Sequence, residues 1–164
     1  MRNDVDKDQL IRRIRVWLAV VIAGLVVSGV TAFPLETEVG WFARHLAGLP
    51  LPGLVDWLNR VHMALAATNR AYPFLAYGTD WLAFAHLVIA VAFIGPWRNP
   101  VRNKWVIECG LIACAGVLFL ALIAGPVRGI PFYWRLIDCS FGVFGAIPLL
   151  LCLRDIRQLE RLQW

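Results

Sequence analysis

Residues 80–98, DWLAFAHLVIAVAFIGPWR, decide the fold. They contain an apolar run, residues 81–97, in which His86 is the one ionisable residue. A helix of this kind approaches the length of about 20 residues that crosses the hydrocarbon core of a bilayer. Three further runs of similar length and low charge occupy residues 16–33, 106–127 and 136–153. The sequence therefore predicts an all-α integral membrane protein with four transmembrane helices.

The composition indicates the same class of protein. The 164 residues are 60% hydrophobic and 16% charged, which is far more apolar than a soluble domain. The formal net charge is +5, but the basic residues are scattered between the apolar runs, so a nucleic-acid partner is not predicted. The cysteines lie in apolar segments without C-x-x-C spacing and are interpreted as packing residues, namely Cys109, Cys114, Cys139 and Cys152.

The distribution of arginine and lysine predicts the orientation of the chain. Eleven of the 16 basic residues precede span 1, separate spans 2 and 3 or follow span 4. Basic residues in short loops favour the cytoplasmic side, so we expect both termini in the cytoplasm of a cell with a bacterial-type inner membrane. A cleaved signal peptide competes for the first run, because residues 30–32 resemble a cleavage site, but the long charged leader favours an anchor.

Residues 34–80 form a segment too long for a simple turn, so we expect it to have structure within a single membrane domain. Apolar residues recur at helical spacing over residues 39–46 and again over residues 54–65, on either side of the Pro50-Leu51-Pro52-Gly53 break. This pattern predicts two short amphipathic helices on the outer side of the membrane. They would either cover the ends of the spans or form a lid over a site.

Polar residues inside or beside the spans are the candidate site, because an ionisable group in hydrocarbon is costly and usually faces protein or water. The predicted outer-leaflet cluster comprises Tyr77, Asp80, His86, Arg128, Trp134, Arg135 and Asp138. Two structural explanations stay open. His86 could be a neutral imidazole bonded to a backbone carbonyl or a hydroxyl, and Asp138 could pair with Arg135 three residues before it. Glu108 is interpreted as an interfacial residue beside Lys104.

Three functional classes fit these residues, and the chain lacks a Walker loop, an HExxH motif and a G-x-S-x-G elbow. The leading hypothesis is a non-catalytic subunit or scaffold of a larger membrane complex, in contact with lipids and with other membrane subunits or further copies of itself. The alternative is a redox bundle that binds haem, a quinone or a lipid through His86. The third hypothesis is an anion or proton transporter that acts as a dimer.

Overall fold

The computed structural model describes residues 2–48 and 50–162, with side chains from residue 6 onward, and this part of the chain is helical without a β-strand. The α-helices are α1 (Arg2–Ala32), α2 (Leu35–Leu46), α3 (Pro52–Ala71), α4 (Ala76–Ala92), α5 (Ile94–Arg98), α6 (Lys104–Phe119), α7 (Gly125–Val127) and α8 (Phe132–Arg161). A 3-10 turn, Pro73–Leu75, precedes α4, and a π-helical turn, Leu120–Ala124, joins α6 to α7.

Four helical segments are long and apolar enough to cross a membrane: Asp6–Ala32, Pro73–Arg98, Lys104–Val127 and Phe132–Arg161. The all-helical class and the four apolar helices are thus confirmed, and such helices are typical of a membrane protein. Each segment is longer than the apolar run from which it was predicted. Helices α1 and α8 in particular continue through charged residues outside their apolar runs.

Two of the four segments are locally irregular next to a proline. Helix α4 ends at Ala92, four residues before Pro96, because proline has no N–H to donate to the carbonyl of residue 92. Similarly, the π-helical turn precedes Pro126, and the Gly125 N–H bonds to the Leu120 carbonyl five residues back. Pro148, in contrast, lies inside the continuous helix α8 and is buried.

The described chain divides into two compact units. The first, called here the terminal unit, contains the residues up to Gly24 and those from Ile89 onward; the second, the central unit, is Leu25–Val88. In the terminal unit, α6 packs closely on α8 at glycines. A Cβ built on Gly142 would lie 2.6 Å from the Cys114 carbonyl oxygen, and one on Gly110 would lie 3.0 Å from Leu149. The absence of a side chain at Gly142 thus allows α6 and α8 to approach closely.

Helix α1 meets α8 within the terminal unit. The Cys152 thiol donates to the Ile14 carbonyl at 3.6 Å, and both residues are almost completely buried. Leu10, Ile14 and Leu18 are buried at a spacing of four residues along α1. Ile156 and Leu159 are buried on α8 beyond its apolar run. The apolar stripes of these two helices thus extend into their charged ends.

In the central unit, α2 and α3 form a helical pair. The imidazole of His62 lies against Gly40, where a Cβ would come within 2.7 Å of its Nε2. The Asn69 amide donates to the Glu36 carboxylate at 2.7 Å and ties the two helices together at a second point. Helix α3 has 20 residues and is longer than the short helix expected there. Gly29 at the end of α1 lies against the backbone of Ala83 in α4.

Candidate functional site

The seven predicted site residues fall in both units. Tyr77, Asp80 and His86 lie on α4 in the central unit, whereas Arg128, Trp134, Arg135 and Asp138 lie at or beside the start of α8 in the terminal unit. Each set thus has its own surroundings. The single outer-leaflet cluster stays a prediction.

His86 is half-buried on the same side of α4 as Ala83, which is fully buried. Its Nδ1 lies 2.8 Å from the carbonyl oxygen of Leu82, one turn earlier in the same helix. Because a carbonyl can only accept, Nδ1 carries the proton, and Nε2 of the neutral ring keeps its lone pair. The bond joins His86 to its own helix, so it does not lock two helices together. It fixes the orientation of the ring.

Tyr77 belongs to an aromatic row on the exposed side of α4. Its ring meets Trp81 edge-on at 6.0 Å between centroids, and Trp81 meets Phe84 at 6.1 Å. These three side chains are 62%, 57% and 52% exposed, respectively. Edge-to-face packing of this kind stabilises a row of rings whose outer faces remain free for lipid or protein. Asp80, one residue before Trp81, is half-buried.

Arg135 occupies a confined position near the start of α8. Its aliphatic chain lies where a Cβ on Gly125 would be, and its guanidinium carbon is 5.2 Å from the centre of the Phe132 ring. Within the described residues its Nε is buried without a hydrogen-bond partner, and no ion pair joins Arg135 to Asp138. The expected pairing of these two residues is therefore wrong, because the guanidinium packs on an aromatic ring instead.

The other members of this set have different environments. Arg128 is exposed after α7, where its backbone N–H bonds to the Ala124 carbonyl. Trp134 and Asp138 are half-buried on α8. Among the described residues, no group of three or more histidine, cysteine, aspartate or glutamate side chains is placed to hold a metal ion.

Sequence reasoning missed the most buried charge in the described chain. Asp155 has no exposed surface; its carboxylate lies 3.3 Å from Nε of Arg13 on α1 and 3.3 Å from the neighbouring Arg154. Lys104 and Glu160 form a second ion pair at 3.2 Å between α6 and α8. The helical spacing of Leu149, Cys152, Ile156 and Leu159 could have shown that the arginine-rich end of α8 has a buried face.

Helix α6 presents exposed small residues on a side next to the one that contacts α8. Cys109, Ala113 and Gly116 are exposed and follow each other at spacings of four and three residues, so they share one face. A Cβ on Gly116 would meet nothing within 4 Å. The flanking side chains Ile112 and Phe119 are 73% and 67% exposed. We call this surface, defined by Cys109, Ala113 and Gly116, the small-residue face of α6.

Comparison of the chain with protein-family models, curated proteins and solved structures gives no significant match.

Proposed function

We propose that this protein is a non-catalytic component of a helical membrane complex, and that the small-residue face of α6 is where another membrane helix packs. The observation that carries the proposal is the exposure of Gly116 beside Ala113 and Cys109. Small residues let the backbones of two helices approach closely inside a bilayer, where the hydrophobic effect does not drive helix association. A helix surrounded only by lipid has no comparable need for them.

The two sides of α6 support this reading. On its inner side, Gly110 is covered by Leu149 and Phe93, and Cys114 lies against Gly142. Here small residues produce close packing with α8 of the same chain. Among the described residues no helix covers the small-residue face, and the bulky apolar side chains of Ile112 and Phe119 flank it, where they can interdigitate with a neighbouring helix.

In this proposal the complex lies in a bacterial-type inner membrane, with both ends of the chain in the cytoplasm. The charges support that orientation. Arg13, Lys104 and Arg154 all lie at the ends of spans expected on the same side. The exposed aromatic row of α4 would then lie near the opposite interface, which is where tryptophan and tyrosine concentrate.

The test is the mass of the native assembly, measured by native mass spectrometry after extraction in mild detergent. We expect a complex of defined stoichiometry, with a mass larger than that of one 18.4 kDa chain. Gly116→Leu should dissociate it, because the new side chain fills the contact. Ala115→Leu is the matched control, since residue 115 is also exposed but lies about 100° around the helix.

The masses also identify the partner. A multiple of the chain mass indicates a second copy, and any other stoichiometric mass indicates a different subunit. A monodisperse monomer in the wild type, or equal dissociation by both leucine variants, would contradict the proposal. Thermal unfolding of both variants checks that the helical fold is intact.

A second candidate function is binding of haem, a quinone or a lipid at His86. The observation in its favour is the Nδ1–H bond to Leu82, which leaves Nε2 free to bind iron or to accept a hydrogen bond. An absorption spectrum of gently solubilised protein tests the hypothesis that His86 binds haem. A Soret band that disappears in His86→Ala but persists in His45→Ala supports it. A spectrum without a chromophore rejects haem as the ligand.

A further inference from the structure

A cleft of about 400 Å³ opens between the charged end of α1 and the last turn of α8, within the terminal unit. Its lining residues include two arginines, Arg13 and Arg161, and two glutamines, Gln9 and Gln158. Leu10 and Leu162 provide its apolar part. A surface that combines arginine, glutamine and apolar side chains is suited to an amphipathic anion.

The charges in this cleft favour a phosphate group. Arginine presents N–H donors in a planar fork that matches two oxygens of a phosphate. Arg13 is already paired with Asp155, and Asp6 adds one carboxylate to the lining. Arg161, however, belongs to no ion pair among the described residues and is exposed. Arg161 is therefore the cation with its charge available to a ligand.

The cleft lies just outside the apolar runs of α1 and α8. Arg13 lies three residues before the run at 16–33, and Arg161 lies eight residues after the run at 136–153. At a rise of about 1.5 Å per residue, these side chains start about 5–12 Å outside the hydrocarbon. The headgroup layer on each side of a bilayer is about 5–8 Å thick, and a long arginine side chain that starts beyond it can extend back into it.

We propose that this cleft binds a phosphate ester, with the headgroup of an anionic phospholipid as its source in the membrane. Arg161 and Gln158 hold the phosphate oxygens, and Leu10 and Leu162 form the apolar part of the cleft beside them. Arg161 also lies in the last turn of α8, where a cation stabilises the helix dipole. That role alone predicts no selectivity between lipids, so lipid selectivity separates the two explanations. The proposal does not depend on the partner surface of α6.

The experiment measures lipid adducts on the full chain by native mass spectrometry, with dioctanoyl-phosphatidylglycerol and dioctanoyl-phosphatidylcholine as probes. We expect the anionic lipid to bind more tightly. Its affinity should fall at least about tenfold in Arg161→Gln, since a charge-assisted hydrogen bond contributes about 1.5–3 kcal/mol and about 1.4 kcal/mol corresponds to tenfold. Arg157→Gln is the matched control. It removes the same charge from an exposed position one turn earlier, outside the cleft, and its affinity should change less than twofold.

Glycerol 3-phosphate, tested as a competitor, distinguishes the sources of the phosphate. If it binds far more weakly than the dioctanoyl lipid, the ligand is a lipid headgroup. If it binds equally well, the site is one for a soluble phosphate ester. Equal binding of both lipids, or equal losses in Arg161→Gln and Arg157→Gln, overturns the proposal. Circular dichroism of each variant confirms that the helices are retained.

Discussion

The carboxylate of Asp155 on α8 is completely buried and lies 3.3 Å from the guanidinium Nε of Arg13 on α1, whose side chain is 51% exposed. Arg154 holds the other carboxylate oxygen at 3.3 Å. The pair thus joins one buried anion to two half-exposed cations, and it links the two helices that contain the chain's most charged segments.

Removing Arg13 should destabilise the protein more than removing the charge of Asp155. Arg13→Gln leaves a buried carboxylate with one arginine, and we expect a loss of about 1–3 kcal/mol in the free energy of unfolding. Asp155→Asn leaves no charge buried, so its loss should be smaller. Chemical unfolding in detergent measures both, and a double-mutant cycle gives the coupling. Arg12→Gln, at an exposed position outside the observed ion pairs, is the control. Equal effects of the Arg12 and Arg13 variants would contradict this account.

Substitution by alanine should lower the stability of the protein at Gly142 but not at Gly116. The Cβ of Gly142→Ala would meet the backbone carbonyl of Cys114 at 2.6 Å, so α6 and α8 must separate, at a cost of about 1–3 kcal/mol. Gly116→Ala meets nothing within 4 Å and should be neutral or stabilising by up to about 1 kcal/mol, because alanine favours helix. Thermal unfolding compares the two variants in a detergent that dissociates the proposed complex, so that only contacts within one chain contribute. Equal melting temperatures of the two variants would show that the close approach of α6 and α8 at Gly142 does not affect thermal stability.

Substitution of Gly40 should loosen the α2–α3 pair of the central unit. In Gly40→Ala, the new methyl would lie 2.7 Å from the His62 ring, which must move. We expect hydrogen exchange at the backbone amides of α2 to become about tenfold faster, equivalent to about 1.4 kcal/mol of local stability. Gly48→Ala, in open space after α2, serves as the control and should leave exchange unchanged. Unchanged exchange in both variants would mean that the imidazole relocates without cost.

The turn before α8 depends on Gly129, whose φ is +68°. This left-handed conformation strains any residue with a Cβ by about 1–2 kcal/mol, even though the surrounding space is open. Gly129→Ala should therefore lower the melting temperature. Gly129→Asn should lower it less, since asparagine tolerates this conformation best among residues with side chains. A larger loss for asparagine than for alanine would indicate a steric cause instead of a conformational one.

The apolar runs allowed prediction of the four long helices because hydrophobicity over about 20 residues is a property of the local sequence. The irregularities next to Pro96 and Pro126 were also within reach, since each follows from a missing N–H. The burial of Asp155 could not be predicted, because it depends on the position of Arg13, which lies in a helix distant in sequence. The segment of residues 154–161, with two acids among three arginines, is typical of a solvated helix end when its tertiary contacts are not known.

The candidate site was harder to predict than the fold, for the same reason. Helical spacing is a local property, and His86 shares a side of α4 with the buried Ala83, three residues earlier. The partner of a polar side chain, however, depends on its rotamer and its neighbours. His86 bonds to its own helix at Leu82, and Arg135 packs on Phe132 instead of pairing with Asp138.

The ion pairs between helices lie outside the apolar runs, and this affects how the protein responds to ionic strength. Lys104 and Glu160 have side chains that are 27% and 31% exposed, so dissolved ions can reach their 3.2 Å contact. The Debye length falls from about 10 Å at 0.1 M salt to about 3 Å at 1 M, which weakens such a pair. A high salt concentration in a purification buffer should therefore weaken this contact between the start of α6 and the end of α8, while the apolar packing at Gly110 and Gly142 holds the two helices together.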